Sequence, residues 1–405
     1  MKPSGIEWIG DIPDDWEVRR GKYTLDLLMR PIRDNDEIIT CFRDGQVTRR
    51  SNRREDGFTF ADKEIGYQGI LKGDLVIHGM DGFAGAIGIS DSDGKGSPVL
   101  NVCRPKNGSD TRYINYYLRT LALQNVFIAL STGIRERSCD LRWKKIAELL
   151  FTIPPLKTQQ KIADYLDEKC GEIDATIAKQ KESIEKLKAY KQSLISETVT
   201  KGLDKSAPLK PSGIDYLGDI PSHWEIKKLK FLVSLIDNKT KDGHSISLEN
   251  IESGTGKLIE TENTYDGEGI SFKENDLLFG KLRPYLAKVY LSALKGRALG
   301  DFYVMRANKC INPNFLKFVL LSDWFIKIVD SSTYGTKMPR ASWDFTGGMR
   351  IPLPPISEQD CISSYLETKC SEVDTFISEK QNIIQKLDAY KKSLIFEYVT
   401  GKQKI

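Results

Sequence analysis

Histidine is scarce in this chain of 405 residues: there are three, at positions 78, 223 and 244, too scattered for a catalytic triad or a metal cluster. The seven cysteines include no Cys-x-x-Cys pair, which removes zinc ribbons and dithiol redox motifs. Apolar runs are short, and none approaches the roughly 20 residues of a membrane span. There is no P-loop. Residues 88–96 have the wrong spacing and no Ser or Thr after Lys95, and Gly254-Thr-Gly-Lys257-Leu is too short. An excess of one charge is also missing: 60 Lys and Arg face 56 Asp and Glu, a net of +4. That excludes a histone-like polycation, so any nucleic-acid contact must come from local clusters of basic residues. The opening Met1-Lys-Pro-Ser-Gly-Ile-Glu7 is unlike a secretory signal. Unpaired thiols and a Lys/Glu-rich composition predict a reducing cytoplasm.

What the chain does have is a duplication. Residues 154–200 and 354–400 match at 23 of 47 positions with no gap. Each copy is rich in Lys, Glu, Gln, Ala and Leu, and neither has a proline after its start, so each reads as one helix. Leu166, Cys170, Ile173, Ile177, Gln180, Ile184, Leu187, Lys191 and Leu194 alternate steps of four and three, the seam of a coiled coil. Leu366, Cys370, Val373, Ile377, Lys380, Ile384, Leu387, Lys391 and Leu394 repeat it. Such a seam needs a partner, and the other copy is the expected one. Pairing is assigned to Leu166, Ile173, Ile177, Ile184, Leu187 and Leu194 against Leu366, Val373, Ile377, Ile384, Leu387 and Leu394.

A second repeated box opens each half. Lys2-Pro-Ser-Gly-Ile-Glu-Trp-Ile-Gly-Asp-Ile-Pro-Asp-Asp-Trp-Glu17 returns as Lys210-Pro-Ser-Gly-Ile-Asp-Tyr-Leu-Gly-Asp-Ile-Pro-Ser-His-Trp-Glu225. Its prolines and glycines make it a turn-rich segment, with Trp16 and Trp224 as apolar anchors. About 130 residues then differ strongly between the halves, and residues 24–70 and 232–270 do not align. Similarity returns at Gly133-Ile-Arg135-Glu-Arg137 with Trp143, and at Gly335-Thr-Lys337-Met-Pro-Arg340 with Trp343. The expected layout is a globular domain over 1–153, a helical spacer over 154–200, a linker over 201–209, a second domain over 210–353 and a second spacer over 354–405. The fold class is α+β: two mixed α/β domains joined by two long antiparallel coiled-coil helices, with a pseudo-two-fold internal repeat.

Two motifs imitate catalysis. Asp81-Gly-Phe-Ala-Gly-Ala-Ile-Gly88 after a strand has the look of an S-adenosylmethionine loop. At an offset of 202 it becomes Arg283-Pro-Tyr-Leu-Ala-Lys-Val-Tyr290, without glycines, so a strand–turn–strand is expected. The Asp/Asn-Pro-Pro-aromatic partner motif is absent; the Pro-Pro pairs lie in Ile153-Pro-Pro-Leu156 and Leu353-Pro-Pro-Ile356. Glu225-Ile-Lys227 is like a nuclease Glu-x-Lys, but its repeat has Arg19 in place of the lysine. No residue is assigned to catalysis or to a metal.

Basic residues gather in the variable regions. Arg49, Arg50, Arg53 and Arg54 form the densest group; Arg135 and Arg137, then Lys337 and Arg340, mark the two exits; Lys281 and Arg283 share a Gly-Lys-Leu-Arg-Pro turn. Lys and Arg on loops suit phosphate contacts, and Arg also suits guanine edges. These ten are the candidate DNA-binding residues.

With the two opening boxes, the Gly-x-Arg/Lys…Trp exits, the Ile-Pro-Pro-Leu and Ile-Pro-Leu-Pro-Pro-Ile-Ser-Glu-Gln helix starts and the duplicated helices, the whole chain resembles the specificity subunit of type I restriction–modification systems. The first helix start departs from the pattern with Lys157-Thr-Gln-Gln160. The resemblance implies a non-catalytic subunit with two target-recognition domains, each reading one half of a bipartite asymmetric DNA site. It implies helices that set the spacing and dock two methyltransferase subunits, and two restriction/translocase subunits that join them. Adenine methylation and cleavage belong to those partners, with S-adenosylmethionine, ATP and Mg²⁺; this chain needs no cofactor of its own and no membrane. The residues alone also admit a coiled-coil scaffold between proteins with no DNA readout.

Overall fold

The computed structural model describes residues 1–53, 65–129, 141–259, 267–335 and 337–405. It divides into two compact units: Met1–Gln180 with Asn382–Ile405, and Lys181–Gln381. Each long helix therefore contributes to both. The helices span Leu156–Lys201 and Ile356–Val399, 46 and 44 residues, and the length of each follows from its unbroken run of good helix formers. Among the described residues no helix is long and apolar enough to cross a membrane.

In the first unit a four-stranded antiparallel sheet has the order Leu25–Leu27, Leu100–Pro105, Leu75–His78, Ile87–Ile89. Side chains alternate across it. Leu75 and Ile77 share a core with Tyr113, Tyr117 and Leu121 of the helix Thr111–Leu123. Val76 and Val102 lie in a separate apolar cluster with Ile39, Cys41 and Val47 of a β-hairpin. Both faces are covered, which explains the continuous apolar run Leu75-Val-Ile77. Asp74 opens that strand fully buried, accepting from Leu71 N at 2.8 Å and Arg104 Nε at 2.9 Å and pairing with Arg30.

The second unit repeats this plan. Its sheet runs Val233–Ile236, Phe302–Ala307, Asp276–Gly280, Val289–Leu291. Leu277 and Phe279 join Phe315 and Val319 of the helix Pro313–Leu321, while Leu278 and Val304 pack with Ile246 and Phe272. Asp276 is the buried counterpart of Asp74, paired with Arg306 at 2.7 Å. The unalignable stretches 24–70 and 232–270 thus hold equivalent first strands.

Each domain leaves and rejoins its frame through one two-stranded stem. Glu17–Arg20 pairs with Leu150–Ile153, and Glu225–Lys228 with Arg350–Leu353. The Glu225-Ile-Lys227 motif is part of this stem, with Glu225 and Lys227 paired to each other at 2.9 Å. The glycine loop after His78 is a strand, a short 3₁₀ turn (Gly82–Ala84) and a strand, as its repeat predicts.

Candidate nucleic-acid interface

The frame that carries the domains is fixed by two features repeated in each unit. The first is a buried glutamine one turn into each long helix. Gln159 Oε1 accepts from Asp110 N at 2.9 Å and its Nε2 donates to Pro154 O at 2.8 Å. Gln359 Oε1 accepts from Asn312 N at 2.7 Å; its Nε2 donates to Pro354 O at 2.8 Å and Cys310 O at 3.1 Å. Asp110 and Asn312 are the N-caps of the domain helices, each accepting from two main-chain amides of the first turn. The glutamine therefore locks the start of each domain helix to the start of the long helix below it. It sits inside the helix-start motif, shared by Lys157-Thr-Gln-Gln160 and by Ser357-Glu-Gln359. Glu358 itself accepts from Trp224 Nε1 at 3.1 Å.

The second is an ion pair at the seam lysines. In the first unit Lys391 Nζ lies 2.6 Å from Asp174 Oδ2, and Tyr165 and Tyr398 pack at 4.7 Å between ring centres, tilted by 44°. Ile173 and Ile177 share its core with Ile384, Leu387 and Leu394. In the second unit the buried Lys191 donates to Asp374 at 2.7 Å, and Leu194 packs on a core holding Leu366 and Cys370. Low numbers on one helix meet high numbers on the other, so the pairing within each unit is antiparallel. Burial pushes the Asp374 carboxyl up, but the ammoniums of Lys191 and Lys257 outweigh it and hold it below the ordinary value. Of the remaining seam positions, Leu166, Ile184 and Val373 are buried, and Leu187 and Ile377 are half-buried. The Lys191–Asp374 pair is the more buried of the two, and a buried polar pair at a seam position fixes register.

In the second domain the structure brings Lys281, Arg283 and Arg340 together. The turn after the strand Asp276–Gly280 is bonded to the exit loop by Arg283 N to Pro339 O at 2.8 Å and Ala341 N to Lys281 O at 2.9 Å. Asp301 sits between Arg340, at 2.9 Å, and Lys281, at 3.8 Å. Arg283 is held in the left-handed region at φ 50° and is exposed; neither it nor the exposed Lys337 has a side-chain partner among the described residues. Tyr285, Tyr334 and Met338 stand out beside them, 52–67% exposed. Cations interleaved with exposed aromatics suit phosphates and base faces.

In the first domain the same exit bond recurs as Leu141 N to Gly79 O at 2.8 Å. Arg54, Arg135 and Arg137 lie outside the described residues. Arg50 and Arg53 line a cleft of about 640 Å³ with Arg43, Tyr67, His78 and Asp81. Arg49 does not line it; it pairs with Glu37 at 2.9 Å. Arg43 was not among the expected contacts, although the Asp44-Gly45 turn beside it is a hairpin signal. Residues 42–46 form the tip between the strands Ile39–Cys41 and Val47–Arg49, with Phe42 N to Gln46 O at 2.9 Å and Gly45 at φ 93°. The glycines of the cofactor-like loop receive this tip. A Cβ on Gly85 would stand 2.6 Å from Arg43 O, and one on Gly88 would stand 2.0 Å from Gly45 O. His78 Nδ1 accepts from Met80 N and Asp81 N at 3.2 and 2.9 Å, and burial lowers its pKa.

Residues 51–188 match the family described as the type I restriction modification DNA specificity domain. A putative type I restriction enzyme specificity subunit of Methanocaldococcus jannaschii is 23% identical, over 98% of this chain and 96% of its own length. Along nearly its whole length the chain is thus similar to type I specificity subunits. Two solved structures share the fold of this chain. A chain from work on complex assembly and conformational transition of the type I R-M system superposes with a TM-score of 0.73 at 13% identity, covering 97% of this chain and all of the other. The HsdS subunit from Thermoanaerobacter tengcongensis gives 0.52 at 15% identity, covering 97% and 98%.

Proposed function

We propose that this chain is the DNA-recognition subunit of a type I restriction–modification complex, each domain reading one half of a bipartite, asymmetric site. The observation that carries this is the contrast between a frame whose main bonds recur and two domains whose basic surfaces differ. The glutamine lock, the stem and the Lys–Asp seam recur at an offset of about 200 residues. The loops they present do not: a hairpin tip with arginines in one domain, a Lys–Arg turn with tyrosines in the other. Equal frames with unequal loops suit unequal half-sites. Two-stranded ribbons and loops of this size enter the major groove.

The partners that the resemblance implies are two methyltransferase subunits docked on the helices and two restriction/translocase subunits beyond them, acting on duplex DNA. S-adenosylmethionine, ATP and Mg²⁺ act on those subunits, which carry out adenine methylation and cleavage, and this chain itself is non-catalytic. Replacing residues 24–150 with the matching domain of another family member tests the reading. Mapping of methylated adenines in cells expressing the chimaera with its methyltransferase should show one half-site exchanged and the other kept. Exchange of both, or of neither, refutes it. Binding of duplex DNA that weakens steeply with salt separates this function from a scaffold role.

A further inference from the structure

The hairpin tip of the first domain presents its arginines in an unusual way. Arg53 is held on three sides. Its Nη2 pairs with Asp44 at 2.7 Å, its Nη1 donates to Gln46 Oε1 at 3.2 Å, and its guanidinium lies 4.2 Å over the Phe42 ring. Asp44 is itself fixed by Gln46 N at 3.1 Å. Arg43, at the tip, pairs with Asp81 at 2.8 Å, and Asp81 N donates to His78 Nδ1. The tip cannot drift, because Gly85 and Gly88 let its backbone rest directly on the sheet.

An arginine paired with a carboxylate is a poor phosphate ligand. The pair carries no net charge, and the carboxylate repels the phosphate. The guanidinium still has unused donors, since it owns five N–H groups and these bonds take one in Arg43 and two in Arg53. A fixed plane with free donors suits guanine O6 and N7, and the neighbouring carboxylate suits the N4 amine of the paired cytosine. Arg283 and Lys337 of the second domain are the opposite case: exposed, without side-chain partners among the described residues, and suited to phosphate.

Resting on the DNA-recognition role given above, we propose that the half-site read by the first domain contains a guanine, recognised in the major groove by Arg43 and Arg53 while Asp81 and Asp44 hold them in place.

The test uses the full chain with its methyltransferase subunits on a randomised duplex pool, selected and sequenced at several salt concentrations. The double variant R43K/R53K keeps the charge but loses the planar fork. It is expected to lose roughly 5- to 150-fold of its preference for guanine at one or two positions of one half-site. The other half-site and the salt slope should stay as in the parent, and the retained half-site shows that the variant is folded. R283A should instead weaken all sequences alike and reduce the salt slope by about one. The proposal is overturned if R43K/R53K keeps the parent preference, or if R43A and R53A each reduce the salt slope without changing any base preference. A parent complex that selects no sequence at all would instead refute the DNA-recognition role.

Discussion

Gly88→Ala tests why the first domain carries its row of glycines. A Cβ at position 88 would lie 2.0 Å from the Gly45 carbonyl oxygen, 3.0 Å from its carbon and 2.9 Å from Val47 Cγ2. Restoring an ordinary 3.4 Å contact to that oxygen requires the tip to withdraw by about 1.4 Å (3.4 minus 2.0). The clash is backbone against backbone, so no side chain can swing away. Overpacking of this kind costs about 1–3 kcal/mol, which at roughly 2–4 °C per kcal/mol lowers the melting of the first unit by about 2–12 °C. Hydrogen exchange should show faster opening of peptides over 39–49 and no change over 267–307. In methylation mapping, the first half-site should lose selectivity and the second keep it. Gly171→Ala is the control: nothing lies within 4 Å of its Cβ, and it is helical and exposed. That substitution should stabilise by about 0.5–1 kcal/mol. The reasoning fails if Gly88→Ala leaves melting, exchange and both half-sites unchanged. It fails equally if the isolated chain binds S-adenosylmethionine and Gly88→Ala abolishes the binding.

Gln359→Ala strands one buried amide and two carbonyls, and should cost about 2–4 kcal/mol in denaturant unfolding of the second unit; Gln159→Ala, losing two bonds, should cost less. Lys191→Met leaves Asp374 with Lys257 alone, so the loss should be about 1–3 kcal/mol rather than the 3–5 of a fully orphaned charge; an unchanged unfolding midpoint would show that the pair contributes no stability. Because burial depresses the His78 pKa, the folded domain favours the neutral ring, whose Nδ1 accepts two amides. The first domain should therefore lose stability as pH falls below the unfolded value of about 6.5, a decline that His78→Gln should flatten in pH-resolved exchange. Inserting four residues, about one helical turn, within 175–185 should lengthen the spacer between half-sites and leave both half-sites unchanged, as methylation mapping would show.

The long helices were legible because two independent signals, a 3.5-residue apolar period and a direct repeat, fall on the same residues. The equivalence of the two sheets was not. Their strands at Leu25–Leu27 and Val233–Ile236 are short, sit outside the constant offset, and are specified by burial rather than by particular side chains. The glycine loop misleads for a related reason: Gly85 and Gly88 answer to a hairpin more than forty residues earlier in the chain, and no local pattern reports a distant backbone. Among the basic residues, Lys281 and Arg283 belong to one turn motif and Arg340 to an exit motif, and the structure gathers all three around that turn. Spacing could not separate Arg49, which pairs with Glu37, from Arg53, which is held over Phe42. Arg43 stands apart from the clustered arginines in the sequence, so basic-residue clustering does not mark it.

The glutamine lock has a consequence for inheritance. Gln159 and Gln359 grip only main-chain amides and carbonyls of their partners, and each domain begins and ends on adjacent strands of one stem. The domain helix adds side-chain bonds of its own, Tyr113 Oη to Thr152 O at 2.9 Å and Arg112 to Asp167 at 2.8 Å. A recombination event that delivers a foreign domain with the same stem, helix cap and inward face of that helix would seat it without a compensating change elsewhere. The lineage would then acquire a new recognition domain in a single genetic step, while the paired helices pass on unaltered.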